Sequence, residues 1–345
     1  MRRYARSVIP CLIFLAFLVS SMSAQARTIT DMYGREVNVP DKITRVYSIS
    51  PAVTLMLYSI DPDMIVGIPR AVGEPEKRFF QKSYLELPVL GGSSGEGFNL
   101  NLELFLKLKP DVLIVWGDDG AYDQKAAANF EKLGIPVVAV DSDGVEKYAD
   151  TFDFLGKLLD REQRTKALSS YARKSLNEVK TAATKLPADR RVKVYNTRMG
   201  GGGLNVACDT SLHAELIPLA GGINPVRCTT HVFTGIEKIN LEQVLVINPD
   251  VIISMDADFA RDVYRDKRWT NIRAVKDKRV YLTPSLPINW FSGPPSHMGI
   301  LGVQWLANRL YPQAYPKDIE MEAAVFIKLF FQIDLSPEEI RGIME

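Results

Sequence analysis

The 345-residue sequence predicts an α/β protein of two lobes, each built on a mostly parallel sheet, joined by one long rigid helix. Three observations lead there. Short β-rich runs alternate with helical patterns, as parallel α/β layers require. The stretch NLELFLKLKPDVLI (101–114) returns as NLEQVLVINPDVII (240–253), with eight of 14 positions identical and two Leu-to-Ile exchanges. Between the copies, residues 160–186 carry apolar side chains at helical spacing and contain neither Gly nor Pro. A duplicated, Rossmann-like α/β unit on each side of a stiff helix follows, with a ligand cleft between the lobes where the strands end.

The first 26 residues stand outside this pattern. Arg2, Arg3 and Arg6 form a basic start, 8–20 is almost wholly apolar, and SAQA offers a cleavage site after Ala26. The apolar run is too short to span a bilayer, and Cys11 lacks the small residues that precede a lipidated cysteine. Residues 1–26 are therefore expected to be a signal peptide, leaving a soluble, non-lipidated periplasmic protein that starts at Arg27. Its 319 residues (345 − 26) divide into an N-terminal lobe (27–159), the helix (160–186) and a C-terminal lobe with C-terminal helices (187–345). Without Arg2, Arg3 and Arg6, 39 Lys and Arg face 41 Asp and Glu. That balance gives no electrostatic footprint for nucleic acid. Cys208 and Cys228 are the cysteines left after processing. A disulfide is the expected state in an oxidising compartment, with free buried thiols or a thiolate metal site as alternatives.

In chain order, RVYSIS (45–50) reads as a strand and AVTLMLYSI (52–60) as a helix behind Pro51. MIVGI (64–68) and DVLIVW (111–116) read as strands. Helix DQKAAANFEKL (123–133) stops at Gly134 before strand PVVAV (136–140). Asp160 is expected to cap the interlobe helix with Gln163 reaching back, and Leu168, Tyr171, Ala172, Leu176, Val179 and Ala183 form its apolar face. The second half repeats the logic: strand RVKVYN (191–196), helix SLHAELIPLA (211–220), strands DVIISM (250–255) and RVYLT (279–283). The tail KDIEMEAAVFIKLFFQIDLSPEEIRGI (317–343) reads as an amphipathic helix and a short one, packed as core cover. Within the repeat, Asn101 and Asn240 cap helices whose first turns carry Glu103 and Glu242, where the helix dipole favours negative charge. Pro-Asp then ends each helix and launches a buried strand.

Duplication around a rigid connecting helix resembles the helix-hinged substrate-binding proteins of ABC importers for siderophores, cobalamin and haem. DMYGREVNVPDKITRVYSISPAVT, IVGI, the two NLE…PDV units, LGIPVVAVD and LIPLAGGINPV fall in that family's order. WTNIRAVKDKRVYLTP and WFSGPPSHMGILGVQWLANRLYP complete the match over nearly the whole mature chain. The resemblance implies a monomer that binds a small molecule, carries no covalent cofactor, and delivers its ligand to an ABC permease dimer at the inner membrane. Glu103 and Glu242 match the residues with which each lobe meets a two-fold permease. Where the family often carries another Glu, this chain has Leu55. The rigid hinge implies small lobe motion on binding.

The cleft should gather Ser50 after the first strand, Arg70 after IVGI, Trp116 and its repeat partner Met255, Arg198 in YNTRMGGGG, and Trp290 and Phe291 in NWFSGPPSH. Trp116, Trp290 and Phe291 match aromatic positions of the family's cobalamin-binding member. A metal chelate is thus the leading ligand class. Arg70, Arg198, serines and the amides of the glycine run would instead suit a small oxyanion such as molybdate. A nickel or iron complex with small organic ligands, or a non-transport sensor role, are further alternatives. His231 and His297 lie in loop-like stretches and are candidates to complete a bound metal complex, whereas His213 reads as structural. GGSSG (91–95) formally matches a hydrolase nucleophile elbow, but a strand before it and a helix directly after it are lacking, so no enzyme is expected.

Overall fold

The structure, a computed structural model, describes residues 26–94, 97–117, 129–229, 235–291 and 295–344. The expected signal segment up to residue 25, including Cys11, lies outside the described residues. Among those described, no helix is long and apolar enough to cross a membrane.

The N-terminal lobe opens with a hairpin, β1 (Ala26–Thr30) against β2 (Glu36–Pro40). Buried Asp31 ties it down: Oδ1 accepts from Tyr33 and Arg35 amides at 3.0 Å each, and Oδ2 accepts from the Ala139 amide at 3.2 Å. Strand β3 (Val46–Ser48) then leads into α1 (Pro51–Ile60). MIVGI does not become a full strand. Its residues pair singly, Ile65 with Val46 and Ile68 with Val89, because its two ends face different neighbours. A second hairpin, β4 (Gly91–Ser94) with β5 (Gly97–Leu100), follows. It carries the GGSSG motif. A Cβ at Gly91 would lie 1.9 Å from the Asn99 carbonyl, and one at Gly92 2.2 Å from the Ile49 carbonyl. The glycines let three backbones crowd together, and the serines run into an antiparallel strand, so no nucleophile elbow forms.

The first repeat unit is α2 (Leu102–Leu108) and β6 (Val112–Trp116). Strand β7 (Val137–Val140) completes a parallel sheet of order β3-β6-β7. Most of the helix expected at 123–133 lies outside the described residues; its end is helical, and Gly134 has the positive φ of a cap.

Helix α3 (Tyr148–Leu159) folds against α4 (Glu162–Thr184), the long interlobe helix. At 1.5 Å per residue α4 spans about 34 Å. Leu168, Ala172, Leu176, Val179 and Ala183 form its buried face, as the spacing predicts, with Tyr171 packed alongside. Its capping differs from expectation. Asp160 ends α3 in the left-handed region (φ 55°), and Arg161, without a side-chain cap, takes the position before α4. The tight α3–α4 turn demands that conformation of Asp160 and removes its carboxylate from the helix start.

The C-terminal lobe holds five strands in the order β10-β9-β8-β11-β12. Strands β8 (Val194–Thr197), β11 (Val251–Ser254) and β12 (Val280–Leu282) are parallel. The short β9 (Asn205–Ala207) runs antiparallel to β8, and β10 (Ile236–Lys238) antiparallel to β9. Helix α5 (Leu241–Ile247) precedes β11 as α2 precedes β6. Expected helix 211–220 is broken into a 3-10 turn and the short helix Leu216–Leu219; Pro218 cannot donate to a continuing helical ladder.

The duplication extends to detail. Asn101 Oδ1 accepts from the Leu104 amide at 3.0 Å, and Asn240 Oδ1 from the Gln243 amide at 2.9 Å. Lys109 and Asn248 end the two helices with nearly equal left-handed dihedrals, 47°/65° and 43°/68°. Asp111 Oδ2 accepts from the Arg45 amide at 2.9 Å, and Asp250 Oδ2 from the Lys193 amide at 2.8 Å. In each lobe the Pro-Asp carboxylate thus clamps the neighbouring strand.

The last helices, α6 (Gly299–Leu310), α7 (Ile319–Phe331) and α8 (Pro337–Met344), do more than cover one lobe. Helix α7 crosses back to the N-terminal lobe, where Phe331 packs on Tyr58 and Phe80. Arg164 of α4 donates to the carbonyls of Ser59 at 2.9 Å and Leu329 at 2.5 Å. One core therefore runs through both lobes and fills the base of the cleft. Burial of this continuous apolar surface opposes hinge motion.

Candidate functional site

Strands β3, β6 and β7 of one lobe and β8, β11 and β12 of the other run parallel within each sheet, so each lobe gathers its carboxyl strand ends at one edge, where open α/β sheets bind ligands. A pocket of about 20 Å³ is lined by Pro51, Thr54, Leu55, Arg70 and Phe80 of the N-terminal lobe and by Ile288 of the other. Arg70 is exposed at its rim, with Glu76 Oε2 3.7 Å away. Leu55 thus lies in the pocket wall.

Arg198 follows β8 directly. Its Nη1 lies 2.6 Å from the Met255 sulfur, and Met255 follows β11 in the repeat position of Trp116. Burial strips part of the guanidinium's hydration and lowers its pKa to about 10, which leaves it cationic at neutral pH. The run Gly200 to Gly203 turns the chain from β8 towards β9 with φ positive at every residue. It is pinned by Tyr195, whose hydroxyl donates to the Gly203 carbonyl at 2.8 Å, and by the Leu204 amide, which donates to the Gly201 carbonyl at 3.1 Å.

Trp116 is half-buried at the end of β6, and its Nε1–H donates to Asp143 Oδ1 at 2.9 Å. Asp143 belongs to the 141–147 turn after β7. Its mark in the sequence is the Asp143-Gly144 pair, which begins three residues after the last residue of β7. The turn reaches the opposite lobe: Glu215 Oε2 accepts from the Val145 amide at 3.0 Å. Burial of Glu215 raises its pKa to about 7, aided by the charges of Glu146 and Asp143 and opposed by the Val145 hydrogen bond.

Four expected cleft or metal residues lie elsewhere. The Ser50 hydroxyl is buried as the cap of α1, accepting from the Val53 amide at 3.4 Å. Trp290 is fully buried and donates from Nε1 to the Leu286 carbonyl at 2.7 Å; Phe291 is buried beside it. Both belong to the continuous core because α6 packs directly behind them: a Cβ at Gly302 would lie 1.8 Å from the Trp290 carbonyl. His297 is also fully buried, among Phe152, Phe326, Phe330 and Phe331. Loss of hydration lowers its pKa to about 3, so it is a neutral core residue and no cleft ligand. His231 lies outside the described residues. Among the described residues no group of three or more His, Cys, Asp or Glu is placed to hold a metal ion.

Cys208 and Cys228 form a disulfide, Cα to Cα 4.9 Å, that joins the end of β9 to a chain segment 20 residues on. Glu103 and Glu242 are exposed in the first turns of α2 and α5, at equivalent places on the two lobes.

Two α/β lobes joined by one long helix, with strand ends gathered at one edge of each sheet, are the architecture of a ligand-binding protein. The chain belongs to the periplasmic binding protein family, which it matches over residues 46–287. It is 36% identical to the ABC transporter solute binding protein from Sulfurospirillum deleyianum, with a TM-score of 0.84, over 92% of this chain and 98% of that one. The molybdate-binding protein MolA of Haemophilus influenzae is 28% identical, over 94% of this chain and 97% of its own. The high-affinity heme uptake system protein IsdE of Staphylococcus aureus is 24% identical, over 70% of this chain and 80% of its own. The protein is accordingly a substrate-binding component of an ABC transporter, a non-enzymatic subunit that works with permease and ATPase components and binds a small ligand.

Proposed function

We propose that the protein captures a small oxyanion of the molybdate class in the interlobe cleft and hands it to an inner-membrane permease dimer, docking through Glu103 and Glu242. The exported form is a periplasmic monomer freed of residues 1–26. The observation that carries the ligand class is Arg198: a cationic guanidinium, already stripped of part of its water, at the carboxyl end of a central strand. Such a group gains most from a charge-assisted pair with an oxyanion, because the dehydration cost is already met by the fold. Arg70 adds a second cation at the cleft rim. Burial of Trp290 and Phe291 weakens the case for an aromatic-walled chelate site, and the similarity to MolA agrees with an oxyanion.

A metal chelate with anionic donor groups is the second reading, favoured by the half-buried indole of Trp116. Calorimetric titration of the mature protein with molybdate, tungstate, sulfate, haem and a ferric siderophore distinguishes the two. Molybdate or tungstate should bind, and Arg198→Met should weaken that binding roughly 10- to 100-fold, the worth of one charge-assisted pair. Binding of haem or a ferric siderophore alone, unaffected by Arg198→Met, overturns the oxyanion reading.

A further inference from the structure

The 141–147 turn is the one place described where the cleft end of the N-terminal sheet is hydrogen-bonded to the opposite lobe by a carboxylate. It begins as β7 ends and stands beside Trp116. Within it, Asp141 Oδ1 accepts from the Asp143 amide at 3.1 Å, and Asp141 Oδ2 pairs with Lys147 Nζ at 3.1 Å. The Lys147 amide also donates to the Gly144 carbonyl at 3.1 Å, so these bonds shape the turn, and the Val145 amide is the group held from the other lobe. Glu215 does this. Its Oε2 accepts the Val145 amide at 3.0 Å and stands so close to Gly144 that a Cβ there would be 2.6 Å away. Gly144 also has φ +89°, so a side chain at this position is opposed by both backbone and carboxylate. The Val145 side chain is buried near Gly299 of α6, in the same lobe as Glu215.

We propose that Glu215 is a positioning residue of the cleft: from the C-terminal lobe it holds the Gly144–Val145 backbone of the N-terminal lobe and, through Asp143 in the same turn, sets the indole of Trp116. The proposal deepens the ligand-binding reading, since it rests on Trp116, at the carboxyl end of β6, belonging to the ligand site proposed above. The charge of Glu215 changes near neutrality, because burial brings its pKa to about 7. The groups facing it are Asp143 and Glu146 of the turn and the buried phenol of Tyr148 at the start of α3. His213 lies two residues before it, and Lys180 of α4 pairs with Glu146. Ionisation of Glu215 strengthens its hold on the Val145 amide while repelling Asp143, and both effects pass to the indole that Asp143 holds.

The test needs no ligand. The Trp116 signal is isolated as the fluorescence difference between the full-length mature protein and its Trp116→Phe variant, followed from pH 5 to 9 and under acrylamide quenching. The wild-type difference spectrum should titrate with a midpoint near 7. Glu215→Gln should abolish the titration yet keep wild-type quenching, since the amide oxygen still accepts from Val145. Glu215→Ala should raise the quenching constant of Trp116 at least about two-fold. Should Glu215→Ala fail to fold, the Glu215→Gln titration decides alone. A titration that persists in Glu215→Gln, or equal quenching in wild type and Glu215→Ala, overturns the proposal. Molybdate titration of the same proteins separates the two claims: a wild type that ignores molybdate but shows the Trp116 titration refutes the oxyanion reading and leaves the positioning role standing.

Discussion

Acid should destabilise this protein through a single buried histidine, and His297→Phe should remove that sensitivity. The imidazole is fully buried, with the Phe330 ring stacked 5.1 Å from it and three other phenylalanine rings about it. Its Nε2 lies 3.3 Å from Ser59 Oγ, and that hydroxyl donates its own proton to the Leu55 carbonyl at 3.0 Å. Nε2 must therefore be the donor, and Nδ1, which has no hydrogen-bond partner among the described residues, is the nitrogen that acid would protonate. Desolvation holds the folded pKa at about 3, against about 6.5 unfolded. Between those values the native state binds fewer protons than the unfolded chain, so stability is full above about pH 6.5 and falls as the pH drops. The loss is about 2 kcal/mol at pH 5 and about 3 kcal/mol at pH 4. Glu215 acts in the opposite sense. Its raised pKa makes the native state bind more protons between the unfolded value and about 7, so its contribution grows as the pH falls. The wild type alone would therefore mislead, and the difference between wild type and His297→Phe isolates the histidine. Phenylalanine fits an aromatic cluster, and Ser59 keeps its bond to Leu55, so the variant should lie within about 1.5 kcal/mol of wild type at pH 7. Urea unfolding followed by circular dichroism at pH 7, 5 and 4 measures the gap. A gap constant to within about 0.5 kcal/mol from pH 7 to 4 would refute the buried neutral imidazole.

Two further outcomes are expected. Replacing Cys208 and Cys228 together by serine should lower unfolding stability by about 3 kcal/mol, the entropy of closing a loop of this length in the unfolded chain; an unchanged urea midpoint would count against the cross-link. Glu103→Ala with Glu242→Ala should leave ligand affinity within about two-fold of wild type while abolishing ligand-dependent ATPase stimulation in proteoliposomes, as expected when exposed charges serve only the encounter with a partner. Retained stimulation by the double variant would refute the docking role.

Local chemistry made the repeat legible. Asn101 and Asn240 cap their helices as read, and Pro-Asp launches each buried strand, because those contacts are made within a few residues of chain. Glu103 and Glu242 were likewise placeable from a helix's first turn. The apolar face of α4 was legible for a related reason: helical spacing puts those side chains on one side whatever they meet. Asp160 marks where local reading failed. The local sequence fits a capping box, but the α3–α4 hairpin requires a left-handed residue at the same position.

Trp290, Phe291 and His297 show the larger limit. Their loop-like sequence resembles a cleft wall, yet α7 returns from the far end of the chain and encloses His297, while α6 backs the two aromatic residues. Glu215 is the converse, an unremarkable residue in the sequence that reaches the opposite lobe. Periodicity and caps, which act over a few residues, suffice for the duplicated α/β lobes, the long helix that joins them and the exposed Glu103 and Glu242. Which polar and aromatic groups are buried and which stay open to a ligand is set by contacts between distant elements. That choice depends on how two lobes and three terminal helices share one core, and dehydration, the force behind it, acts on surfaces brought together from distant parts of the chain.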